Sequence, residues 1–159
     1  LARQQPVATD LRVVIAALRM SATIERMGDL ARHIAYVARG RYPEVAPSPA
    51  MREIFTQMGE AATKVAHQVS DLLATRDLEL AAGVERDDDT LDALHKQTFT
   101  ILLDPDVEMT RQQLVDGVLL GRYFERFGDH GVSVAVRTSY LVTGDLTSSV
   151  ASDHDSRDH

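Results

Sequence analysis

The 159-residue sequence contains no cysteine and no tryptophan, and only 5% of its residues are aromatic. Without cysteine the chain forms no disulfide, thiolate zinc site or iron–sulfur cluster, so any metal must be bound by carboxylate oxygens or imidazole nitrogens. With few aromatic residues, the core must consist mainly of Ala, Val, Leu, Ile and Met. That mixture favours close helix packing over a sandwich of short strands.

Long apolar runs and an excess of basic residues are also missing. No uninterrupted apolar run approaches the roughly 20 residues that cross a bilayer, and there is no signal-peptide pattern. Acidic residues outnumber basic ones by 24 to 17, which gives a formal net charge of −7. The sequence therefore predicts no nucleic-acid partner and no insertion into a membrane, and its acidic surface is suited to attract cations.

Glycine and proline are sparse, and four long segments show helical periodicity. We predict helices over residues 6–39, 49–76, 78–103 and 107–143, with Gly144 as the final C-cap and a disordered polar tail after it. The fold class is therefore all-α. The first helix has an apolar seam with a period near 3.5, as in helical bundles; its members are Val13, Ala17, Met20, Ile24, Met27, Ala31, Ile34 and Ala38.

A short phrase occurs twice, as "IERMGDLA" from Ile24 and as "FERFGDHG" from Phe124. The offset of 100 positions indicates a tandem duplication of a helical unit. Each copy has a glycine inside a long helix, which costs about 1 kcal/mol relative to alanine. The glycine leaves room for the close approach of either a ligand or a packed helix. The sequence does not decide between the two.

Each copy of the phrase also carries two carboxylates one helical turn apart. Glu25 and Asp29 lie on one side of the first helix, opposite its apolar seam, and Glu125 and Asp129 repeat this arrangement. Acidic residues on an exposed helix face are common, and neighbouring arginines could simply pair with them. A structural explanation therefore stands beside a functional one.

The third helix carries a further carboxylate pair, Asp88 and Asp92, with His95 on the same side. If the third and fourth helices form an antiparallel hairpin, Asp88 lies about 24 Å and Glu125 about 28 Å from the turn, at 1.5 Å per residue. Carboxylates arranged in this way bind hard or borderline cations such as Fe, Mn, Mg or Zn. His95 is interpreted as a histidine at the core edge, and the role of His130 is left open.

Four segments together resemble the PhoU family: "RQQPVATDLR", "IERMGDLARHIA", "RDDDTLDALHK" and "GRYFERFGDHGVSVAVRTSYLVTGDL". The resemblance runs from Arg3 to Leu146 and implies tandem three-helix bundles. Residues 1–43 would be the last helix of a first, incomplete bundle, residues 44–146 a complete second bundle, and residues 147–159 a tail. The sequence is therefore expected to be part of a longer polypeptide, and the apolar face of the first helix is expected to promote dimerisation or a domain swap.

The resemblance also implies metal sites. Family members gather multinuclear clusters of iron, zinc or other divalent ions on surface carboxylates with the spacing E/D-x-x-x-D. Carried over by motif, a first site would contain Glu25 and Asp29. A second site would contain four residues: Asp88, Asp92, Glu125 and Asp129.

The function implied by the resemblance is negative regulation of the phosphate-starvation (Pho) response. The protein would be a cytoplasmic adaptor without catalytic turnover, held at the inner face of the plasma membrane through its partners. Those partners would be the ATPase subunit of a phosphate ABC transporter and a sensor histidine kinase, and the protein itself would be a homo-oligomer, most simply a dimer.

Two other functions compete with this one. A metal-free helical module could dock a basic partner through its acidic face. A di-metal carboxylate oxidase would need two Glu-x-x-His pairs projecting into a bundle core. The sequence contains no Glu-x-x-His, and Asp92-x-x-His95 is the single near match. An enzymatic function is therefore not expected.

Overall fold

A computed structural model describes residues 4–144 of the chain, with side chains from residue 7 onward. The four helices are α1 (Gln4–Gly40), α2 (Arg52–Thr75), α3 (Leu78–Leu102) and α4 (Arg111–Thr143), and a 3₁₀ turn (Pro49–Met51) precedes α2. No β-strand occurs between residues 4 and 144, which confirms the all-α class. The predicted tail at residues 147–159 lies outside the described residues.

The helix ends are set by local capping. Asp77 is the N-cap of α3 and accepts a hydrogen bond of 3.0 Å from the backbone N–H of Glu79. The fourth helix begins at Arg111, so its predicted start at residue 107 was wrong. The reason is a capping box, in which Thr110 Oγ1 accepts from the Gln113 N–H at 3.1 Å and Gln113 Oε1 accepts from the Thr110 N–H at 2.9 Å.

The C-terminal end of α4 was predicted correctly. Gly144 adopts a left-handed conformation with φ of 73°, and its N–H donates to the carbonyl of Tyr140 at 2.8 Å. Because glycine has no Cβ, it takes this conformation without steric cost.

Helices α2, α3 and α4 pack around a common apolar core. Aliphatic and methionine side chains fill this core, as the sequence predicted. The core also contains an aromatic contact between Phe55 and Phe124, whose ring centroids are 6.3 Å apart. Glycines on α4 let the neighbouring helices approach closely; a Cβ at Gly131 would lie 2.5 Å from Val65 Cγ1. Fully buried core side chains are Met51, Met58, Val65, Leu72, Val84, Leu91 and Val134.

Helix α1 packs against α4 in the antiparallel direction. Met20 contacts Thr138, whose hydroxyl lies 3.5 Å from the methionine sulfur, whereas His33, further along α1, packs against the ring of Tyr123 at 5.3 Å. The positions on α4 thus decrease as those on α1 increase. Repeat-equivalent residues therefore approach one another where the two copies of the phrase cross.

The segment after α1 is tied to the start of α4 by a bidentate ion pair. Arg41 donates from Nε to Asp116 Oδ2 at 2.6 Å and from Nη2 to Asp116 Oδ1 at 2.9 Å. Gln112 Nε2 donates to Asp116 Oδ1 at 3.0 Å. This network supplies the partners that the buried carboxylate of Asp116 requires.

The apolar seam predicted for the first helix is only partly buried. Met20 and Met27 are in the core, whereas Ile24 and Ala31 are exposed. The difference arises because α1 packs chiefly on one helix, which covers a narrower stripe than a bundle would. Large apolar side chains in the first half of α1 are therefore exposed: Val7, Leu11, Val14 and Leu18.

Candidate metal centre

Three carboxylates converge where α3 packs against α4. Asp88 and Asp92 lie one turn apart on α3, and Asp129 comes from the second copy of the phrase on α4. One oxygen from each of the three lies within 4.8 Å of the others. We call these three residues the carboxylate cluster. Hard or borderline cations prefer such oxygen ligands.

Asp88 is the most constrained member of the cluster. Its Oδ1 is buried and has no hydrogen-bond partner among the described residues. Burial, followed by the nearby charges of Asp92 and Asp129, raises the pKa of the Asp88 carboxyl to about 7. A buried, unpaired carboxylate oxygen is costly, and a bound cation would supply the missing partner.

The pKa values of the other two members of the cluster are also raised. Burial raises the pKa of Asp92, with a second contribution from Asp129 and a weaker opposing effect of Lys96. Burial likewise raises the pKa of Asp129, and the negative charge of Glu125 makes the next largest contribution in the same direction. Three mutually repelling carboxylates are therefore held together without a compensating charge among them, which is the electrostatic environment of a cation site.

Gly128 makes room for Asp88. A Cβ at position 128 would overlap Asp88 Oδ1 and would lie 2.9 Å from Leu91 Cδ1. At the equivalent Gly28, a Cβ would meet nothing within 4 Å. The second glycine of the duplicated phrase thus allows α3, with the carboxylate of Asp88, to pack closely against α4. A Cβ at the first glycine would contact nothing in the described chain.

Glu125 lies beside the cluster but has another partner. Arg122 Nη1 donates to Glu125 Oε2 at 2.6 Å, and the glutamate side chain is largely buried. Its negative charge also raises the pKa of Asp129. Its predicted role as a ligand remains a prediction, since a metal would have to compete with Arg122.

The first predicted site looks different from the second. Glu25 is exposed, and Asp29 forms an ion pair with Arg32. Among residues 4–144, no third histidine or acidic residue joins them to form a set of ligands. Their role also stays a prediction.

The histidines divide between two surfaces. His95 packs against the ring of Phe99 at 5.2 Å and borders Gly121, where a Cβ would lie 3.2 Å from His95 Cδ2. That position agrees with the interpretation of His95 as a histidine at the core edge. His130, whose role the sequence left open, faces the groove between α1 and α4 together with Arg26 and Arg126. From the sequence, Arg26 was considered only as a possible partner of the carboxylates and Arg126 only as a marker of the repeat.

None of the helices within residues 4–144 combines the length and the apolarity that a membrane crossing needs.

Comparison with known proteins gives a consistent result. The family model described as "PhoU domain" matches residues 1–38 and 55–138. Phosphate-specific transport system accessory protein PhoU homolog 2 of Mycobacterium tuberculosis is 40% identical over 144 residues, covering 91% of this chain and 68% of the relative. Homolog 1 of Mycobacterium leprae is also 40% identical over 144 residues, covering 91% of this chain and 65% of the relative.

A more distant relative shows the same coverage. The PhoU homolog of Deinococcus radiodurans is 34% identical over 150 residues, covering 91% of this chain and 68% of the relative. The chain thus spans about two thirds of the length of these curated relatives.

Proposed function

Because the chain belongs to the PhoU family, we propose that it acts as an accessory protein of phosphate-specific transport and binds metal ions at its carboxylate cluster. The first part rests on the names of its relatives. The observation that carries the second part is the buried, unpaired Oδ1 of Asp88, set against Asp92 and Asp129.

The residues fit a hard or borderline divalent cation, or iron. Asp88, Asp92 and Asp129 would hold it through oxygen atoms, and Glu125 would join them if Arg122 released it. Fe, Zn, Mn and Mg all accept such ligands. The bound ion would supply positive charge and exchangeable coordination positions at the protein surface. The carboxylates, which come from two facing helices, would hold the ion between α3 and α4.

The proposed regulatory role is that of an adaptor without turnover. In it, the chain contacts the ATPase subunit of a phosphate ABC transporter and a sensor histidine kinase, and represses the phosphate-starvation response when phosphate is plentiful. The support is the match of the helical unit to the family model and the names of its relatives. The chain would be cytoplasmic and reach the membrane through these partners.

Metal content tests the site directly. The 159-residue chain is purified without chelators or a histidine tag, and its metals are measured by elemental analysis. We expect stoichiometric metal in the parent and its loss in Asp88→Asn/Asp129→Asn. The matched control Glu60→Gln/Asp71→Asn removes the same two charges from exposed positions of α2 and should keep the metal. No metal in the parent would favour the metal-free docking module instead.

A third variant addresses the first predicted site. Glu25→Gln/Asp29→Asn should lower the metal content only if those carboxylates bind a metal of their own. Unchanged metal in this variant, together with loss in Asp88→Asn/Asp129→Asn, would place all bound metal at the carboxylate cluster.

The regulatory proposal needs a cellular measurement. In a host that lacks its own PhoU-family gene, a reporter of the phosphate-starvation response is followed in high phosphate. The parent chain should repress the reporter and co-purify with the transporter ATPase subunit, and the Glu60→Gln/Asp71→Asn control should behave in the same way. A constitutively active reporter with the parent chain would contradict the role of repressor.

A further inference from the structure

The groove between α1 and α4 differs in charge from the carboxylate cluster. It has a volume of about 200 Å³ and is open to solvent. Four of its six lining side chains are basic or imidazole groups, in a protein whose net charge is −7. We call it the basic groove; its lining residues are Arg26, Asp29, Leu30, His33, Arg126 and His130.

Its two arginines come from equivalent positions of the repeat. Arg26 follows the glutamate in the first copy of the phrase, and Arg126 follows it in the second. Because α1 and α4 are antiparallel and cross at the two copies, both guanidinium groups reach the same groove. The duplication therefore concentrates positive charge where the helices meet.

Neither arginine is paired with a carboxylate in the part of the chain that the structure describes. Between residues 4 and 144, Arg26 and Arg126 take part in none of the ion pairs or side-chain hydrogen bonds. In contrast, Arg32, Arg41 and Arg122 each pair with a carboxylate. Two guanidinium groups that share a groove repel each other, and a bound anion would offset that repulsion.

Of the nearby carboxylates, one is paired with an arginine and another belongs to the carboxylate cluster. Asp29, the one acidic residue that lines the basic groove, is paired with Arg32. Asp129 converges with Asp88 in the carboxylate cluster. Arg26, Arg126 and His130 line the same groove.

We propose that the basic groove binds a phosphate group through Arg26 and Arg126. A guanidinium donates two parallel hydrogen bonds to an oxyanion, and the tetrahedral phosphate has enough oxygens for two such groups and an imidazole N–H. The groove is smaller than the roughly 300–1,000 Å³ typical of sites for drug-sized ligands, so it suits a single phosphate group. This inference does not depend on the metal site.

The test is an NMR titration of the 159-residue chain with inorganic phosphate, at low salt and after chelator treatment and removal of the chelator. The amide signals around the groove and the arginine Nε–H signals are followed. Saturable binding is expected with a dissociation constant on the order of 1 mM or tighter. Arg26→Gln/Arg126→Gln should weaken it by about tenfold or more, since both bidentate contacts are lost.

The matched control is Arg12→Gln/Arg111→Gln. It removes one exposed arginine from each of the same two helices, outside the basic groove. It should retain the affinity of the parent, and all three proteins should keep the same circular dichroism spectrum. Equal weakening in both double variants would overturn the proposal, because it would show general attraction to positive charge rather than a site.

Two further titrations identify the source of the phosphate group. Tighter binding of inorganic phosphate than of O-phosphoserine would assign the groove to the free ion, and the reverse order would assign it to a phosphorylated side chain; either supports the proposal. Absence of saturable binding of both would overturn it. So would phosphate binding that requires added metal and disappears in Asp88→Asn/Asp129→Asn, a variant that should otherwise bind phosphate like the parent.

Discussion

Asp88 and Gly128 depend on each other at the contact between α3 and α4. The carboxylate occupies the space that a side chain at position 128 would fill, and it is thereby held where its Oδ1 has no partner in the described chain. The sequence predicted that Asp88 belongs to a site and that the glycine allows a close approach. The sequence did not reveal that Gly128 makes the space for Asp88. That contact depends on how each helix is rotated about its own axis, which the sequence does not specify.

The raised pKa of Asp88 predicts the pH dependence of stability in the metal-free protein. A carboxyl whose pKa rises from 3.8 to about 7 on folding binds its proton more tightly in the folded state. The folded state is therefore favoured at acidic pH, and this contribution is lost as the pH rises from about 4 to about 7. We expect Asp88→Asn to raise the free energy of unfolding at pH 8, by no more than about 2 kcal/mol after solvent screening.

Urea denaturation at pH 5 and pH 8, in chelator-treated protein, measures this effect. The gain from Asp88→Asn should be large at pH 8 and small at pH 5. Comparison with the parent at each pH cancels the contributions of other titrating groups, such as His130. A gain that is the same at both pH values would show that Asp88 is not the group responsible.

The two glycines of the duplicated phrase should respond in opposite ways to substitution by alanine. Gly28→Ala should stabilise the protein by up to about 1 kcal/mol, because alanine favours the helix and nothing lies within 4 Å of the new Cβ. Gly128→Ala should displace the Asp88 side chain. It should weaken metal affinity strongly and lower the free energy of unfolding by a smaller amount. Thermal unfolding and metal titration of both variants provide the check, each serving as the control for the other.

At the scale of helices, α4 presents two chemically different sides. Acidic Asp129 faces α3, while the neighbouring His130 and Arg126 line the groove with α1. Helical periodicity in the sequence was sufficient to predict four helices and the end of α4. It could not predict that α4 would be shared between an acidic and a basic surface, because the partner of each side is determined by long-range packing.

The start of α4 was missed because capping outweighed periodicity. We expect Thr110→Ala to destabilise the protein by about 1 kcal/mol, a typical cost of losing an N-cap hydroxyl. Urea denaturation measures the change, with Thr100→Ala at an exposed position of α3 as the control. A control that loses as much stability as Thr110→Ala would contradict a specific effect of the cap.

At the scale of the whole molecule, the bundle of α2, α3 and α4 is well packed, whereas α1 is covered mainly by α4. Leu11 and Leu18 are 58% and 66% exposed. A contiguous apolar face of this kind marks a surface that favours association. The resemblance to the family led to the same expectation, namely that the first helix promotes dimerisation. The predicted division between residues 43 and 44 stays a prediction.

Association through this face is measurable. The 159-residue chain should form dimers with increasing concentration in sedimentation velocity experiments, and Leu11→Gln/Leu18→Gln should shift it to monomer. The control Val45→Gln/Leu103→Gln changes two exposed apolar residues in the connecting segments and should leave the distribution unchanged. A parent chain that stays monomeric throughout would contradict the prediction.

The antiparallel crossing of α1 and α4 has a consequence for the ancestry of this fold. Equivalent helices of a duplicated unit that meet at equivalent residues are related by an approximate two-fold axis. Such a contact is isologous, the kind by which identical subunits form symmetric dimers. A single ancestral unit could therefore make this contact with its own copy. Gene fusion would then have converted an interface between two chains into an interior of one, with Arg26 and Arg126 as the two halves of a formerly symmetric pair.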